Sequence, residues 1–568
     1  MPASHRKYVV VLVAAAAMLI NTLGASTAFA HAAHPAAGAA PSARSVTAPA
    51  VTMHTVNMRQ VAAQTPSQAA QPVRTLPLLT GLSAAAYAQR KAAAARTLNA
   101  PADLSATSGL YTPATLAKFN GMADGGAVCN CQPPDQALAA SSSWVFQGVN
   151  TAFAVYNTTG VRQSGWPKPA PSFFGVPTPS GCGVTAPFLS DPRAFYDPTD
   201  GRFWAAMLEV EGAFGVNNCP ERTYYWVAVS QTNNPNGTWN VYAFNMAINV
   251  SGSCATCAAD YTQFGFDQTA IYFSGNMFTQ SGSAYDYAET YSVLKSAMES
   301  GTAVTAYGFF GFKANGVFVD TVQPVENEAS SGPGAGLLIN SFNINGNGSA
   351  NCASTACKGL VVWAIANPGT ASASLTGVII TNTTTYIAPP QADQPGHPAS
   401  VETLDTRISG TPVYQQGLIS FALETGLNNG THVVPAIFWG QVKPTISGGA
   451  ITGASVFQSG SVHFTGDRAA SFGALMATST GNLLMVFDTM SSTIFPSIMY
   501  TTRLTTDKAG TFGAKVFLKK GTVATVDTRW GDYEAASYDG ATGDNTWFSS
   551  QYPAASGDWA TYIGKVHF

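Results

Sequence analysis

From about residue 125 to the last residue, short runs of β-branched and aromatic residues alternate with turns that carry Gly, Asn, Asp or Pro. This pattern is typical of many short antiparallel strands joined by tight turns. Helical signals are nearly absent here, apart from residues 291–299. The sequence therefore predicts an all-β domain, with strands at residues 144–149, 153–156, 194–196, 203–209, 224–230, 239–244, 270–274, 359–364, 433–439, 483–488 and 498–502.

A loose internal repeat favours a β-propeller over a β-sandwich. In each copy a strand is followed by a turn with Asp or Asn and Gly, and then by an aromatic residue on the next strand. Tight turns need a positive φ, which Gly and Asn tolerate, and the aromatic residue packs between sheets. At roughly 40–65 residues per blade, about 440 residues predict a single large propeller of six to eight blades, with two stacked β-domains as the alternative. The copies occupy residues 195–204, 233–239 and 538–547, with a weaker one at 480–484.

The first 120 residues differ from the rest. Residues 1–30 carry a basic start, an apolar run too short to span a bilayer and the small-x-small sequence Ala28-Phe29-Ala30, which together predict a signal peptide. Residues 31–120 are rich in Ala, Pro, Ser, Thr and Gln and predict a spacer or pro-segment with one helix at residues 82–98. Residues 121–568 form the predicted propeller domain. We expect the mature protein to be secreted, extracellular and without a membrane span.

The charge of the chain is low. Charged residues make up 10% of the sequence and the net charge is -3, so no basic surface favours nucleic acid as a partner. A surface with few charged residues changes little in charge as its carboxylates bind protons. We therefore expect the protein to tolerate acidic surroundings. We also expect a monomer.

The eight cysteines lie in the middle of the chain, and an even number in an exported protein favours disulfides. Short spacings predict local pairs Cys254–Cys257 and Cys352–Cys357, with Cys182–Cys219 as a longer bridge. Cys129 and Cys131 would close a very small ring, so we expect other partners for them. A four-thiolate zinc site made of Cys129, Cys131, Cys254 and Cys257 is the alternative.

Three stretches carry a resemblance to a known family. They are Pro-Pro-Asp at residues 133–135 with VFQGVNTAFAVY at 145–156, DYTQFGFD at 260–267, and RWGDY at 529–533. Over roughly residues 125 to 568 the chain resembles a largely uncharacterised family of exported bacterial propeller-like proteins, grouped loosely with sialidase-like and other glycosidase propellers. The resemblance implies a propeller fold. None of the four repeat turns matches the sialidase Asp-box, Ser-x-Asp-x-Gly-x-Thr-Trp, which argues against sialidase activity itself.

Motifs of several enzyme classes are absent from the sequence: it has no His-Glu-x-x-His, no Gly-x-Ser-x-Gly and no phosphate-binding Gly-Lys-Thr. Carboxylate, arginine and aromatic chemistry remains, because glycosidases use paired Asp or Glu groups and Arg binds the carboxylate of an acidic sugar. The candidates are Asp135, Asp191, Arg193, Glu209, Asp260, Asp267, Asp405, Arg407, Asp467, Arg468 and the dense segment Arg529, Trp530, Asp532, Tyr533, Glu534.

From these candidates we predict a glycoside hydrolase with Asp532, Glu534 and Asp267 as catalytic residues. Substrate would be held by Arg529, Trp530, Tyr533, Arg193 and Arg407. A structural role is the alternative for each Asp–Arg pair, since carboxylates at strand starts accept backbone N–H bonds, and we expect Trp204, Trp239 and Trp547 to be core residues.

The expected partner is an extracellular polysaccharide or glycoconjugate. No cofactor or catalytic metal is expected, although calcium could bind Asp- and Asn-rich loops. A non-catalytic propeller that binds glycan or protein is the main alternative function. A secreted peptidase with a carboxylate site is the third.

Overall fold

The computed structural model describes residues 40–47, 51–63, 74–80, 83–96, 111–125, 128–184, 186–214, 217–219, 222–247, 257–282, 284–329, 331–343, 356–429, 432–540 and 544–568. The predicted signal peptide lies outside these residues. Strands dominate the described chain, which confirms the all-β prediction, and its helices are α1 (Ala84–Ala94), α2 (Ala170–Phe174) and α3 (Lys295–Glu299). In the described ranges, no helix is long and apolar enough to cross a membrane.

The first half of the chain forms three groups of antiparallel strands after an N-terminal set. The N-terminal strands are β1 (Ser42–Thr47), β2 (Thr52–Asn57), β3 (Arg74–Thr75), β4 (Ala114–Ala123) and β5 (Cys131–Gln132). The first group contains β6 (Ala137–Ala140), β7 (Trp144–Val149), β8 (Ala152–Asn157) and β9 (Lys168–Pro169). The second contains β10 (Leu189–Asp197), β11 (Arg202–Glu211), β12 (Arg222–Ser230) and β13 (Thr238–Asn245). The third contains β14 (Cys257–Phe266), β15 (Ala270–Thr279), β16 (Tyr285–Leu294) and β17 (Tyr307–Ala314), with β18 (Val317–Phe318) paired to β17.

The second half continues the pattern. A fourth group contains β19 (Gln323–Pro324), β21 (Gly336–Ser341), β22 (Leu360–Ala366) and β23 (Ser374–Ile380), and the connecting strand is β20 (Glu326–Asn327). A separate hairpin consists of β24 (Ala392–Gln394) and β25 (His397–Val401). The fifth group contains β26 (Val413–Gln415), β27 (Leu418–Asn428), β28 (Val433–Ser447) and β29 (Ala450–Val462). The last two groups are β30 (Ala469–Ala477), β31 (Leu483–Ser491), β32 (Ile494–Arg503) and β33 (Val516–Lys519), then β34 (Ala535–Tyr538), β35 (Asn545–Pro553) and β36 (Trp559–His567).

The sequence-based strand predictions are confirmed, since each predicted run lies within or overlaps one of these strands. The predicted helix at 82–98 corresponds to α1, which begins after Ser83, whose hydroxyl accepts the N–H of Ala86. The helix predicted at 291–299 is wrong in its first half. Residues up to Leu294 belong to β16, and only α3 is helical, because Tyr and Val in that stretch pair across the sheet with β15.

Several described strands of residues 31–120 pair with strands of the main domain. β1 pairs with the edge strand β17, and β2 pairs with the edge strand β13. β4 pairs with β36 and extends past the expected boundary at residue 121. Edge pairing needs main-chain hydrogen bonds rather than a large apolar face, so the polar composition of this region permits it.

The first strands of the groups lie next to one another. β6 contacts β10 and β34, β10 contacts β14, and β14 contacts β19. β20 pairs in parallel with both β14 and β26, β26 contacts β30, and β30 contacts β34. We call the first strands of the seven groups the inner strands; they are β6, β10, β14, β19, β26, β30 and β34. Contacts between inner strands follow their order along the chain, with β20 connecting β14 to β26.

Three inner strands carry a bulge near their start. The register shifts at Ser190/Arg193 in β10, at Asp260/Gln263 in β14 and at Ser471/Ala474 in β30. Each bulge contains a residue with positive φ, namely Asp191, Tyr261 and Phe472. A bulge turns side chains out of the regular alternation of a strand, and here it directs Asp191 toward the end of the inner strands.

Aromatic residues fill the space between the sheets. Trp204, Trp239 and Trp547 are fully buried, as expected for core residues. Phe146 contacts the rings of Phe153 and Trp239 at 5.1 and 5.5 Å between centroids. The repeat turns lie in hairpins, such as that between β10 and β11, where Asp197 accepts the N–H groups of Thr199 and Asp200.

The structure contains disulfides Cys129–Cys131 and Cys182–Cys219. The first pair corrects the expectation of other partners, and it excludes the zinc alternative because Cys257 is disulfide-bonded as well. Cys357 is also disulfide-bonded, and the predicted partners Cys254 and Cys352 lie outside the described residues.

Removing the longer disulfide should lower stability more than removing the shorter one. Cys182–Cys219 closes a loop with a sequence separation of 37, and the loss of such a loop costs about 2–4 kcal/mol because the unfolded chain gains freedom. The ring of Cys129–Cys131, with a separation of 2, constrains the unfolded chain far less. Urea unfolding of the two double serine variants measures the difference, and equal losses would contradict this account.

Candidate functional site

Four aspartates surround one small cavity at the beginning of the inner strands. The cavity measures about 20 Å³ and is lined by Asp135, Asp191, Asp260 and Asp532. Asp135 and Asp532 directly precede the segments of β6 and β34, while Asp191 and Asp260 belong to the bulges of β10 and β14. We call this space the aspartate cavity.

Hydrogen bonds hold these carboxyl groups in place. Asn150 donates from its amide nitrogen to Asp135 Oδ2 at 2.8 Å, and its amide oxygen accepts the N–H of Asp191 at 2.9 Å. Asp135 Oδ1 accepts the N–H of Asp532 at 2.8 Å, and Asp191 Oδ2 accepts the N–H of Thr262 at 3.3 Å. Four groups of strands are thus tied together at the cavity, namely the first, second, third and last.

The carboxyl groups of the cavity differ in proton affinity. Burial, and then the charges of Asp532 and Asp191, raise the pKa of Asp135 well above its usual value. Asp260 also lines the cavity. Burial, and then the charges of Asp191 and Asp532, raise the pKa of Asp260 well above the usual range. Burial, followed by Asp532, raises the pKa of Asp191 to about 6, because Arg193 opposes the shift. One space thus brings together carboxyl groups that bind protons with unequal strength, which is the combination that acid–base catalysis uses.

Two arginines beside the cavity have N–H groups without a partner. Arg529 Nη2 binds both oxygens of Asp532 at 2.7 and 2.8 Å, while its Nε and Nη1 are buried without a hydrogen bond among the described residues. The guanidinium carbon of Arg193 lies 3.4 Å from the ring centroid of Tyr533. Arg193 Nε donates to the carbonyl of Thr262 at 3.2 Å, and its buried Nη2 has no partner in the described chain. Unpaired guanidinium groups of this kind favour an anionic ligand group.

Arg407 is bound more completely. Its Nε and Nη2 donate to the two oxygens of Asp405 at 2.9 and 2.8 Å, and its guanidinium carbon lies 4.4 Å from the ring centroid of Tyr261. Arg407 therefore lies beside Tyr261, but its guanidinium group is already paired with Asp405, two residues earlier in the sequence.

The structure brings most of the predicted site residues together. Asp532 lines the aspartate cavity and is paired with Arg529. Arg193 stacks on Tyr533 and lines a second cavity next to Ala194, and Arg407 is stacked on Tyr261. The hydroxyl of Tyr533 donates to the carbonyl of Pro192 at 3.1 Å.

Of the other three predicted residues, Trp530 belongs to the same buried cluster as Tyr261 and Tyr533 and donates to Asp488 at 2.7 Å. Glu534 accepts a hydrogen bond from Gln136 and lines the same second cavity as Arg193. Asp267 follows the far end of β14, seven residues after Asp260, which is on the order of 20 Å in an extended strand. There Asp267 accepts the hydroxyl of Tyr272 at 2.6 Å and the N–H groups of the following turn.

Three cavities follow one another along the inner strands. The aspartate cavity comes first, an inner cavity of about 20 Å³ comes second, and an open cavity of about 620 Å³ comes last. In and just after β10, Asp191 lines the first cavity, Arg193 the second and Thr199 the third. In and just before β34, Asp532, Glu534 and Tyr538 line the three cavities in the same order. The broad opening thus lies at the end opposite the aspartate cavity.

Acidic groups also occur near the open end. Burial raises the pKa of Glu326 to about 8 and that of Glu328 further above its usual value, and the two side chains are hydrogen-bonded. Elsewhere in the described chain, Asp197, Asp200 and Glu299 offer oxygens within 4.8 Å of one another. Lys295 Nζ lies 2.5 and 2.7 Å from the two aspartates, so an ammonium group is already paired with both of them.

Sequence reasoning missed two residues of the site. Asn150 and Tyr261 were not singled out, although both fall within the stretches that carried the family resemblance. Asp135, Asp191 and Asp260 were candidates, but no sequence signal ranked them above Asp267. Only the fold shows that they surround one cavity.

No protein-family model matches the chain, and no curated protein matches it. Similar solved structures include the haemagglutinin-neuraminidase ectodomain of parainfluenza virus 5, with 8% identity, coverage of 85% of this chain and 92% of that chain, and a TM-score of 0.34. An ulvan lyase has 13% identity, coverage of 83% and 96%, and a TM-score of 0.33. An α-L-arabinanase of Cellvibrio cellulosa in complex with arabinohexaose has 9% identity, coverage of 66% and 94%, and a TM-score of 0.28. Because these likenesses are distant, the family resemblance seen in the sequence stays a prediction.

Proposed function

We propose that the seven groups of strands form one closed propeller of seven blades. The contacts between successive inner strands support this arrangement. The pairing of β4 with β36 supports closure, because it adds a strand from early in the chain to the last group. The aspartate cavity and the open cavity would then lie at the two ends of the propeller axis.

We further propose that the protein is an extracellular glycoside hydrolase that acts on a polysaccharide or glycoconjugate at the aspartate cavity. The observation that carries this proposal is the unequal proton affinity of carboxyl groups around one space. Glycoside hydrolysis needs one protonated carboxyl group to protonate the leaving oxygen and one carboxylate to act as base or nucleophile. Asp260 is the proposed acid, and Asp191 is the proposed base or nucleophile.

The arginines indicate the kind of sugar. The unpaired N–H groups of Arg193 and Arg529 fit the carboxylate of an acidic sugar. In this proposal Asp532 positions Arg529 through its two hydrogen bonds, and Tyr533 supports Arg193 from the face of its ring.

A screen of acidic and neutral polysaccharides and aryl glycosides between pH 4 and 8 tests the proposal. Turnover should rise as the pH passes about 6, where Asp191 ionises, and Asp191→Asn should lower it roughly 100- to 10,000-fold. Asp467→Asn is the control, since Asp467 lies outside the cluster and accepts the N–H of Ser492. Turnover that survives Asp191→Asn would rule out this assignment.

The open cavity supports the second candidate, a non-catalytic glycan-binding propeller. Its volume of about 620 Å³ suits a small ligand, and its lining includes Gln415 Nε2 and Glu328 Oε2, which are buried without a partner among the described residues. Binding without turnover that is weakened by Gln415→Leu, and unchanged by Asp191→Asn, would favour this function over the hydrolase.

A further inference from the structure

Residues 74–80, which come shortly before α1, lie against the aspartate cavity. β3 pairs in parallel with β5, and Gln132 donates to the hydroxyl of Thr75 at 2.8 Å. Directly after β3, Leu76 and Pro77 line the aspartate cavity together with the four aspartates. Leu78 packs against the buried cluster that includes Tyr261, Trp530 and Tyr533. Apolar side chains from a region of the chain outside the groups of strands thus form part of the cavity wall.

Helix α1 anchors the same segment by a buried charge. Lys91 is only 4% exposed, and its Nζ lies 3.1 Å from Glu402 Oε1 and 2.9 Å from Thr403 Oγ1. It also donates to the carbonyl of Leu404. Tyr87 adds a hydrogen bond to the same oxygen of Glu402 at 2.9 Å. The segment is therefore attached at two points, β3 and Lys91.

The electrostatics of this anchor favour its charged form. Burial by itself would raise the pKa of Glu402, but Lys91 and then Arg529 outweigh it and hold the pKa below its usual value. Arg529 also binds Asp532 of the aspartate cavity. The anchor and the cavity are thus neighbours in one network of charges.

We infer that residues 74–80 and 83–96 form an intramolecular cover that narrows the aspartate cavity and must be displaced before a ligand reaches it. The covered cavity has a volume of about 20 Å³, which is space for about one water molecule, whereas ligand pockets measure roughly 300–1,000 Å³. That the ligand is a saccharide rests on the proposed function; that the segment covers the cavity does not.

Cutting the folded full-length chain on both sides of the cover tests the inference. Recognition sites for a specific protease are placed within residues 64–73 and 97–110, which leaves the described contacts unchanged. Carboxyl groups are then coupled to glycine ethyl ester with a carbodiimide, and peptide mass spectrometry reports the modification of Asp135, Asp191 and Asp260. If the uncovered state is a minor one before cutting, modification should rise about tenfold or more once the segment is released.

Lys91→Ala in the cut protein should increase release of the segment and modification further. Lys295→Ala is the matched control, because Lys295 is also a buried lysine and is paired with Asp197 and Asp200 near the other end of the inner strands. It should leave modification of the aspartate cavity at the level of the cut protein without this substitution. Buried Asp488 reports folding and should stay unmodified throughout. If Lys91→Ala fails to fold, Tyr87→Phe weakens the same anchor by one hydrogen bond.

Mass spectrometry also reports whether the segment has been released. If the segment is gone and modification of the three aspartates is unchanged, the cover is ruled out. Increased modification without turnover of any polysaccharide would support the cover and contradict the proposed hydrolase. Increased modification together with turnover that appears only after release would support both.

Discussion

Between pH 8 and pH 5 the free energy of unfolding is expected to increase, by about 3 kcal/mol or more. The reason is a set of buried carboxyl groups that bind protons more tightly in the folded chain than in the unfolded chain. Burial raises the pKa of Asp488 from 3.8 to about 7, against the hydrogen bonds of Ser550 and Trp530. Burial also raises the pKa of Glu424 from 4.5 to about 8, against the N–H groups of Gly473 and Phe472.

The sign follows from the two states of each group. Between the unfolded and the folded pKa the native protein holds a proton that the unfolded chain has lost, so stability rises as the pH falls through this window. For Asp488 the window runs from 3.8 to about 7. Asp405 and Glu402, whose pKa values are lowered, lose their contribution only below this range.

Thermal or urea unfolding at pH 5, 6, 7 and 8 measures the effect. Asp488→Asn should flatten the pH dependence, because the neutral amide removes one of the titrating groups, whereas Asp467→Asn at the surface should leave the slope unchanged. A midpoint that is constant or higher at pH 8 would show that these groups are not buried as described.

Arg407→Leu is expected to destabilise the protein by about 3–5 kcal/mol, because it leaves a buried carboxylate without its partner. Asp405 is only 2% exposed. Burial by itself would raise the pKa of Asp405, but the paired guanidinium group of Arg407 outweighs it and holds the pKa below the usual value. Without Arg407 the pKa of Asp405 should rise, so the loss of stability should be smaller at pH 4.5 than at pH 7.

The double variant Arg407→Leu/Asp405→Leu is the matched control. It removes both charges and should recover most of the lost stability, since replacing a whole buried ion pair is far less costly than breaking it. The same double variant tests the substrate-binding role predicted for Arg407 from the sequence. Unchanged ligand affinity in a stable double variant would assign Arg407 to structure, and equal losses in the single and double variants would contradict the pairing.

The strands were predictable because their signal is local. The bounds of β7 follow from the run of β-branched and aromatic residues at 144–149. Gly201, with φ 63, marks the hairpin between β10 and β11. The edge strands β1, β2 and β4 were not predicted. They pair through main-chain hydrogen bonds, which leave little trace in the pattern of side chains.

The candidate site could be predicted only in part, for a physical reason. The segment Arg529–Glu534 stands out because it is dense in charge, but Asp135, Asp191 and Asp260 come from three different groups of strands. Asp260 and Asp267 look equivalent in sequence, yet an extended strand separates them, and Asp267 stabilises a turn. The cover could not be predicted either, because no local sequence pattern indicates that Lys91 pairs with Glu402.

The pairing of β4 with β36 places the early and the late parts of the chain in one hydrogen-bonded ladder. That ladder cannot form until the final strand has been synthesised, however early β4 is available. Contacts between residues so far apart in sequence also form slowly, because a long loop must close first. The topology therefore orders the steps of folding. The sheet that contains β4 and β36 is completed late, and until then the polypeptide is not fully folded and stays accessible to other proteins.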